Sequence, residues 1–196
     1  MTVVKEDVAR GAATTEARRA PVLVTPRCVF LDLEAVLLAE HRGPRGVELG
    51  VQADIAHGVE RLAQVADWIV ILAYPTSRSP RRASDDERLR VLSSELGHGM
   101  DDLLVVACPH EDGACDCAKP GSGLIELAMA DHHLPHHHGW FIGADQEGVV
   151  SARSAGLSTV RIGPQPTDHL SSVHRPDYEA RDLLDAANHI LMEELI

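Results

Sequence analysis

The sequence predicts a doubly wound α/β domain, in which helices cover both faces of a parallel sheet. Short apolar runs alternate along the chain with amphipathic helical patterns, which is typical of this fold class. The 196 residues suit one domain of ordinary size, and the hydrophobic share of 44% is enough for a core. We therefore predict a single domain over residues 24–195, preceded by a mobile tail at residues 1–20 that has no sustained apolar period.

Five apolar runs have the length and composition of strands. They are Cys28–Asp32, Trp68–Leu72, Leu103–Ala107, Trp140–Gly143 and Thr159–Ile162. Two stretches between them, His41–Gly50 and Thr76–Arg82, contain arginine with glycine or proline, and we expect both to be irregular.

Five segments have the pattern of helices that pack against this sheet. In the first, Ile55, Val59 and Leu62 fall on one helical face. The second opens with a capping box at Ser84–Glu87 and ends before Gly97. In chain order the five segments are 55–66, 84–96, 123–131, 148–154 and 180–195.

The charge and the apolar pattern exclude several classes of protein. Lys and Arg number 18 against 30 Asp and Glu, which gives a net charge of −12, and aromatic residues are only 3%. Nucleic-acid binding is therefore not expected, because it needs a basic face and often stacking aromatics. No apolar stretch is long enough for a membrane span, and the first twenty residues lack the apolar core of a signal peptide. These features predict a cytoplasmic protein.

The most specific local pattern is a loop that holds three cysteines and one histidine within ten residues. Cys108, His110, Cys115 and Cys117 offer three thiols and an imidazole, the donors that zinc prefers. Four protein ligands leave no open position for a substrate, so the predicted zinc is structural. The alternative is a loop of exposed and oxidisable thiols without a metal.

Chemically useful side chains also follow the strands, where ligands of such sheets bind. Asp32 and Glu34 come at the end of the first strand, Lys119 follows the cysteine loop, and Asp145 follows the fourth strand. An acidic pair, a lysine and an acidic turn that meet in one crevice favour metal-assisted phosphate chemistry. The alternative is that these groups cap strands and stay in water.

These segments together resemble the haloacid dehalogenase superfamily, whose domain is Rossmann-like. The resemblance is carried by Phe30–Val36, by the cysteine loop with Lys119-Pro120, and by Phe141–Asp145, and it covers nearly the whole chain from Val24. It is similar in particular to the branch without a cap domain that has a zinc loop, which contains heptose-bisphosphate and histidinol-phosphate phosphatases. The resemblance implies that Asp32 is the nucleophile, Glu34 the general acid and base, and Lys119 the cation that neutralises the phosphoryl group.

Three motifs depart from the pattern of that superfamily. Glu34 stands where it has Asp, Leu72-Ala73 has no phosphate-binding hydroxyl, and both acids of the fourth motif are replaced, the one that binds Mg²⁺ by Ala144 and the other by Gly148. Asp145 is one residue beyond Ala144, and at a strand end such a shift usually turns the side chain away. The alternatives are that Asp145 and Glu147 serve in a rebuilt turn, or that these acids are solvated or cap the next helix. We therefore predict weak or lost Mg²⁺ binding and weak or lost hydrolysis, with the domain kept as a binding or regulatory module.

The alternative is an active Mg²⁺-dependent phosphatase of a small sugar phosphate or a histidinol-phosphate-like ester, with the metal held by Asp32, the Glu34 carbonyl and Asp145. Possible partners are an anionic small molecule or another protein. Arg42, Arg45, Arg78, Arg81 and Arg82 are expected to rim the crevice, unless they are ordinary surface charges.

Overall fold

The computed structural model contains a six-stranded parallel sheet at its centre. The structure describes residues 27–36, 39–43, 46–50, 53–74, 96, 103–110, 115–135, 138–163 and 171–195. Its strands are β1 (Cys28–Asp32), β4 (Trp68–Ala73), β5 (Leu103–Ala107), β6 (Gly139–Gly143), β7 (Ser158–Ile162) and β8 (Tyr178–Ala180). Their order in the sheet is β5-β4-β1-β6-β7-β8.

The first strand lies in the middle of the sheet. Cys28 pairs with Trp68 of β4 on one side and with Gly139 of β6 on the other, and all three strands are parallel. The chain therefore builds the sheet outward through β4 and β5, and then returns to build it through β6, β7 and β8. The carboxyl ends of β1 and β6 flank the point where the winding reverses, and α/β sheets bind ligands at such a point.

Alternating side chains of β1 explain why both faces of the sheet are covered. Val29 and Leu31 pack into one apolar cluster, and Cys28 and Phe30 pack into another. Within the described ranges, four helices are seen along their length, namely α1 (Ala53–Leu62), α2 (Gly123–Asp131), α3 (Gln146–Ser154) and α4 (Leu183–Glu194). Apolar side chains of α1 and α4 pack into the apolar cluster that contains Val29 and Leu31. Those of α2 and α3 pack into the one that contains Cys28 and Phe30. The doubly wound α/β fold is confirmed.

Two segments differ from the sequence prediction. The stretch predicted to be irregular at His41–Gly50 is instead an antiparallel hairpin of β2 (Ala39–Gly43) and β3 (Gly46–Gly50). The short strand β8 was not predicted. It is held beside β7 by Asp177, whose Oδ2 accepts hydrogen bonds from the backbone N–H and the hydroxyl of Thr159 at 2.8 and 2.7 Å.

Several predicted segments lie outside the described residues. These are the tail at 1–20, the loop at Thr76–Arg82, and the helix predicted at 84–96 except for Leu96, which is buried. The extent of the single domain, residues 24–195, stays a prediction. Among the residues that the structure covers, no helix combines the length and apolar composition needed to cross a bilayer.

Candidate active site and metal centre

The carboxyl edge of the sheet brings the predicted site residues together. Asp32 is the last residue of β1, Tyr74 directly follows β4, Cys108 directly follows β5, and Asp145 comes two residues after β6. Parallel strands end on the same edge, so the loops that follow them converge there. Two clusters result, one of cysteines with histidine and one of carboxylates with lysine.

The four predicted metal ligands form the first cluster. One ligand atom from each of Cys108, His110, Cys115 and Cys117 lies within 4.8 Å of the others. The Sγ atoms of Cys108 and Cys115 are 3.4 Å apart, and Nδ1 of His110 is 3.4 Å from Sγ of Cys108 and 3.6 Å from Sγ of Cys117. The cysteines are free thiols in the structure.

The three contacts of 3.4, 3.4 and 3.6 Å between ligand atoms fit one tetrahedral zinc ion. With bonds of about 2.3 Å to sulfur and about 2.0 Å to nitrogen, tetrahedral ligand atoms are roughly 3.5–3.8 Å apart. Burial raises the pKa of the Cys117 thiol to about 12, so an ion that favours the thiolate would be needed to make this sulfur a ligand. The residues therefore fit zinc, and zinc as the bound ion stays a prediction.

A tight turn carries the chain from the first cluster to the second. The backbone N–H of Gly123 donates to the carbonyl of Asp116 at 3.0 Å, and the N–H of Gly121 donates to the carbonyl of Ala118 at 2.8 Å. A Cβ atom at Gly121 would lie 2.5 Å from the Asp116 oxygen, and one at Gly123 would lie 2.6 Å from it. The turn therefore needs glycine at both positions, and it holds Lys119 two residues after the ligand Cys117.

Lys119 joins two carboxylates in the second cluster. Its Nζ donates to Oδ2 of Asp32 and, at 2.6 Å, to Oδ2 of Asp145. The Asp32 side chain is 1% exposed and the Lys119 side chain 10%, whereas the Asp145 side chain is 36% exposed. Burial by itself would lower the pKa of Lys119, but the charges and hydrogen bonds of the two carboxylates outweigh it and raise that pKa. The lysine is therefore a charged ammonium.

The position of Asp145 corrects one expectation. Its side chain was expected to turn away from the crevice, yet it reaches Lys119. Asp145 lies beyond β6 and is the N-cap of α3, with extended backbone angles of φ −117° and ψ 166°. Its Oδ1 accepts a hydrogen bond from the backbone N–H of Gly148 at 2.6 Å. The rule of alternating strand faces does not apply to a residue whose direction is set by a helix cap.

Tyr74 is a site residue that the sequence reasoning missed. The Lys119 nitrogen lies 4.7 Å from the centroid of its ring, within the range of a cation–π contact. The Tyr74 hydroxyl is 3.3 Å from Oγ of Ser151, which in turn donates to the Gly121 carbonyl at 2.7 Å. Burial, with a smaller effect of the Asp32 and Asp145 charges, holds the pKa of Tyr74 well above its usual value. A signal was present in the sequence, because Tyr74 is an aromatic residue directly after a predicted strand.

Other predicted site residues are placed only in part. Glu34 lies in a short 3-10 helix (Leu33–Val36) directly after β1, and its side chain is outside the described residues. Ala73 ends β4 and carries no hydroxyl. Of the five arginines predicted at the rim, only Arg42 falls in a described element, the backbone of β2.

The residues at the second cluster do not fit a magnesium site well. Mg²⁺ prefers carboxylate oxygens at near-ideal octahedral positions. Ala144 directly follows β6 and offers no side-chain ligand, while both oxygens of Asp145 are already bonded to the Gly148 N–H and to Lys119. The loss of Mg²⁺ binding itself stays a prediction.

No family model matches the chain. The chain is 35% identical over 119 residues to the D-glycero-β-D-manno-heptose-1,7-bisphosphate 7-phosphatase of Pseudomonas putida. That match covers 55% of this chain and 66% of the relative. The enzyme of the same name from Haemophilus ducreyi is 24% identical over 156 residues, which are 70% of this chain and 84% of that protein.

A solved structure has the same fold. The D,D-heptose 1,7-bisphosphate phosphatase of B. bronchiseptica, complexed with magnesium and phosphate, superposes with a TM-score of 0.62 at 18% identity. The match covers 85% of this chain and 99% of that one. The fold is therefore that of the haloacid dehalogenase superfamily, and the predicted resemblance is confirmed. Both sequence relatives described above are heptose-bisphosphate phosphatases.

Proposed function

We propose that this chain is a phosphatase-like domain with a structural zinc loop, in which phosphomonoester hydrolysis is weak or lost. The proposal rests on the hydrogen bonds that occupy both carboxylate oxygens of Asp145. The acid that would bind magnesium is replaced by Ala144, and the neighbouring carboxylate is occupied by a helix cap and by Lys119. An incoming metal would have to compete with both bonds.

The charge of the crevice supports the same proposal. Asp32 and Asp145 bring two negative charges, and Lys119 brings one positive charge that both carboxylates share. A phosphate dianion that approaches these three groups meets a net negative site. Magnesium normally supplies several kcal/mol of charge stabilisation in phosphoryl transfer. Without a well-formed magnesium site, turnover should be slow.

We infer that the domain is kept as a binding or regulatory module in the cytoplasm. An anionic small molecule is one candidate ligand, and a protein partner is the other. The second cluster does not supply net positive charge, so an anion would depend on the arginines predicted at the rim. Arg42, Arg78 and Arg82 are the residues whose substitution should then weaken binding most.

An active phosphatase of a small sugar phosphate or a histidinol-phosphate-like ester is the second candidate. It is favoured by the contact of Lys119 with both Asp32 and Asp145. This contact places one ammonium and two carboxylates together at the carboxyl ends of the strands, where α/β sheets bind their ligands. The names of the sequence relatives favour it as well. In that case Asp32 would attack phosphorus, Glu34 would protonate the leaving oxygen, and Lys119 would stabilise the charge on the phosphoryl oxygens.

The deciding experiment measures phosphate release with and without added Mg²⁺. The purified full chain is assayed with sugar phosphates, sugar bisphosphates and histidinol phosphate, beside Asp32→Asn. Asp131→Asn is the matched control, because Asp131 is exposed at the end of α2. We expect release near background in all three proteins. Turnover of roughly 1 s⁻¹ or more that Asp32→Asn abolishes and Asp131→Asn preserves would establish the phosphatase instead.

A further inference from the structure

We infer that Tyr74 and Ser151 are positioning residues that hold the Lys119 ammonium between Asp32 and Asp145. They come from two different elements, the end of β4 and the middle of α3, and neither belongs to the motifs that the resemblance supplied. The inference does not depend on whether the crevice binds or hydrolyses its ligand, because Lys119 has to stand beside Asp32 in both cases.

The Tyr74 ring forms one wall of the ammonium site. Its centroid is 4.7 Å from Nζ, and the same nitrogen donates to the two carboxylates. A lysine side chain has a long flexible stem, so fixing its end costs conformational entropy. A partly buried aromatic face beside the ammonium lowers that cost, because it attracts the charge without offering it a competing acceptor.

The Tyr74 hydroxyl fixes the orientation of that wall. The Ser151 hydroxyl has one hydrogen, which it donates to the Gly121 carbonyl at 2.7 Å. The contact of 3.3 Å between the two hydroxyls therefore has Tyr74 as donor and Ser151 as acceptor. Ser151 is 0% exposed, so loss of this arrangement would leave a buried hydroxyl without its partner.

The hydrogen bonds from Tyr74 to Ser151 and from Ser151 to Gly121 also fix the backbone that carries Lys119. Gly121 comes two residues after the lysine and lies in the turn whose glycines approach the Asp116 carbonyl. The bond from Ser151 thus fixes the turn against α3, whose N-cap is Asp145. One short chain of hydrogen bonds joins the aromatic wall, the lysine turn and the helix that presents the second carboxylate.

Lysine-selective nuclear magnetic resonance of the full chain can test this inference directly. The sequence has two lysines, Lys5 and Lys119, so a labelled sample gives two ammonium signals and Lys5→Arg assigns them. We expect the Lys119 methylene protons next to the nitrogen to be shifted upfield by the Tyr74 ring. We also expect the Lys119 ammonium signal to persist at neutral pH, because two carboxylates slow its exchange with water.

Three variants divide the proposed roles. Tyr74→Leu should remove the upfield shift and speed ammonium exchange by about fivefold. Tyr74→Phe should keep the upfield shift and show a smaller increase in exchange. Ser151→Ala should also speed exchange, since it releases both the ring and the turn.

Two matched controls exclude a general loss of stability. Tyr178→Leu removes the other tyrosine, which stacks on His189. Ser154→Ala removes a hydroxyl of α3 that donates to the Val150 carbonyl of the same helix. Both controls should leave the Lys119 signals unchanged. The inference is wrong if Tyr74→Leu retains the wild-type shift and exchange rate, or if Tyr178→Leu changes them equally. If Tyr74→Leu does not fold, Tyr74→Phe and Ser151→Ala decide, and unchanged exchange in both overturns the inference.

Discussion

The two clusters at the carboxyl edge are connected by the same loop, but they differ in the source of their positive charge. In the first cluster, of Cys108, His110, Cys115 and Cys117, the four ligand atoms lie within 4.8 Å of one another, and the predicted zinc ion would supply the positive charge. In the second cluster the chain supplies its own cation, because Lys119 bonds to both Asp32 and Asp145. The comparison predicts that the first cluster depends on a bound metal for its stability, whereas the second is paired by the chain itself.

Loss of the metal should have the largest effect on the molecule. We expect the purified full chain to carry one zinc ion, and Cys117→Ser to lose it and to lower the free energy of unfolding by more than about 4 kcal/mol. The physical reason is that the loop has few apolar groups to bury when the metal is absent. Elemental analysis and urea denaturation measure the two effects.

Cys28→Ala provides the matched control for this loss. Cys28 is buried in β1, away from the cluster, and should leave the zinc content at one ion per chain. Protein purified without chelators that contains no zinc and has freely titrating thiols at Cys108 and Cys115 would contradict the prediction.

Removing the internal cation should have the next largest effect. Lys119→Met keeps most of the side-chain volume but removes the ammonium that bonds to the buried Asp32 carboxylate and to Asp145. We expect a loss of about 3 kcal/mol, at the lower end for a buried pair because the Asp145 side chain is 36% exposed. Urea denaturation provides the measurement.

The control for the lysine is an exposed ion pair. Arg181 is 85% exposed and bonds to Asp185, so Arg181→Met should change stability very little. If the two variants lose equal free energy of unfolding, the second cluster stabilises the fold no more than an exposed ion pair does. The contrast drawn between the two clusters would then be wrong.

Restoring the missing acid should make the second cluster a better ligand for Mg²⁺. Ala144→Asp should tighten Mg²⁺ binding at least about tenfold, which corresponds to about 1.4 kcal/mol. Titration calorimetry measures this effect, with Ala130→Asp, an exposed position on α2, as the control. Micromolar Mg²⁺ binding by the unchanged chain, with no gain from Ala144→Asp, would show that another group replaces the acid.

The smallest effect is expected at a position far from both clusters. Asp185 accepts from the backbone N–H of Arg181 and from its guanidinium, and these bonds hold the pKa of Asp185 below its usual value. A lowered pKa means that the stabilisation is present above the unfolded pKa of about 3.9 and is lost as the pH falls through the folded pKa. Asp185→Asn should therefore be slightly less stable at pH 7 and equal to wild type near pH 2. A difference that stays constant between these pH values would contradict this origin.

The sequence predicted the central elements well because their patterns are local. The bounds of Cys28–Asp32, Leu103–Ala107 and Gly123–Asp131 are those observed. The hairpin of β2 and β3 was missed because its charged and glycine residues do not form an apolar run. The strand β8 was missed because it has three residues and depends on Asp177 and Thr159, which are 18 positions apart.

The site was predictable where one residue type implies one chemistry. Three cysteines and one histidine within ten residues predicted the four candidate metal ligands, and the structure brings these side chains together. Asp145 caps the next helix, which is one of the alternatives that the sequence left open, but the expectation that its side chain turns away from the crevice was wrong, since it also contacts Lys119. The contact of Tyr74 with Lys119 depends on tertiary packing between β4 and a loop 45 positions further on, which no local pattern contains.

The closeness of the four metal ligands in sequence has a consequence for the order of assembly. They lie within ten consecutive residues, whereas Asp32 and Lys119 are 87 positions apart. Closing a short loop requires little loss of chain entropy, and contacts between distant residues form more slowly. If the predicted zinc is bound, the cysteine loop can therefore close around it before β6, β7 and β8 have been synthesised. Lys119, two residues after the loop, would then already be positioned when the last strands complete the sheet.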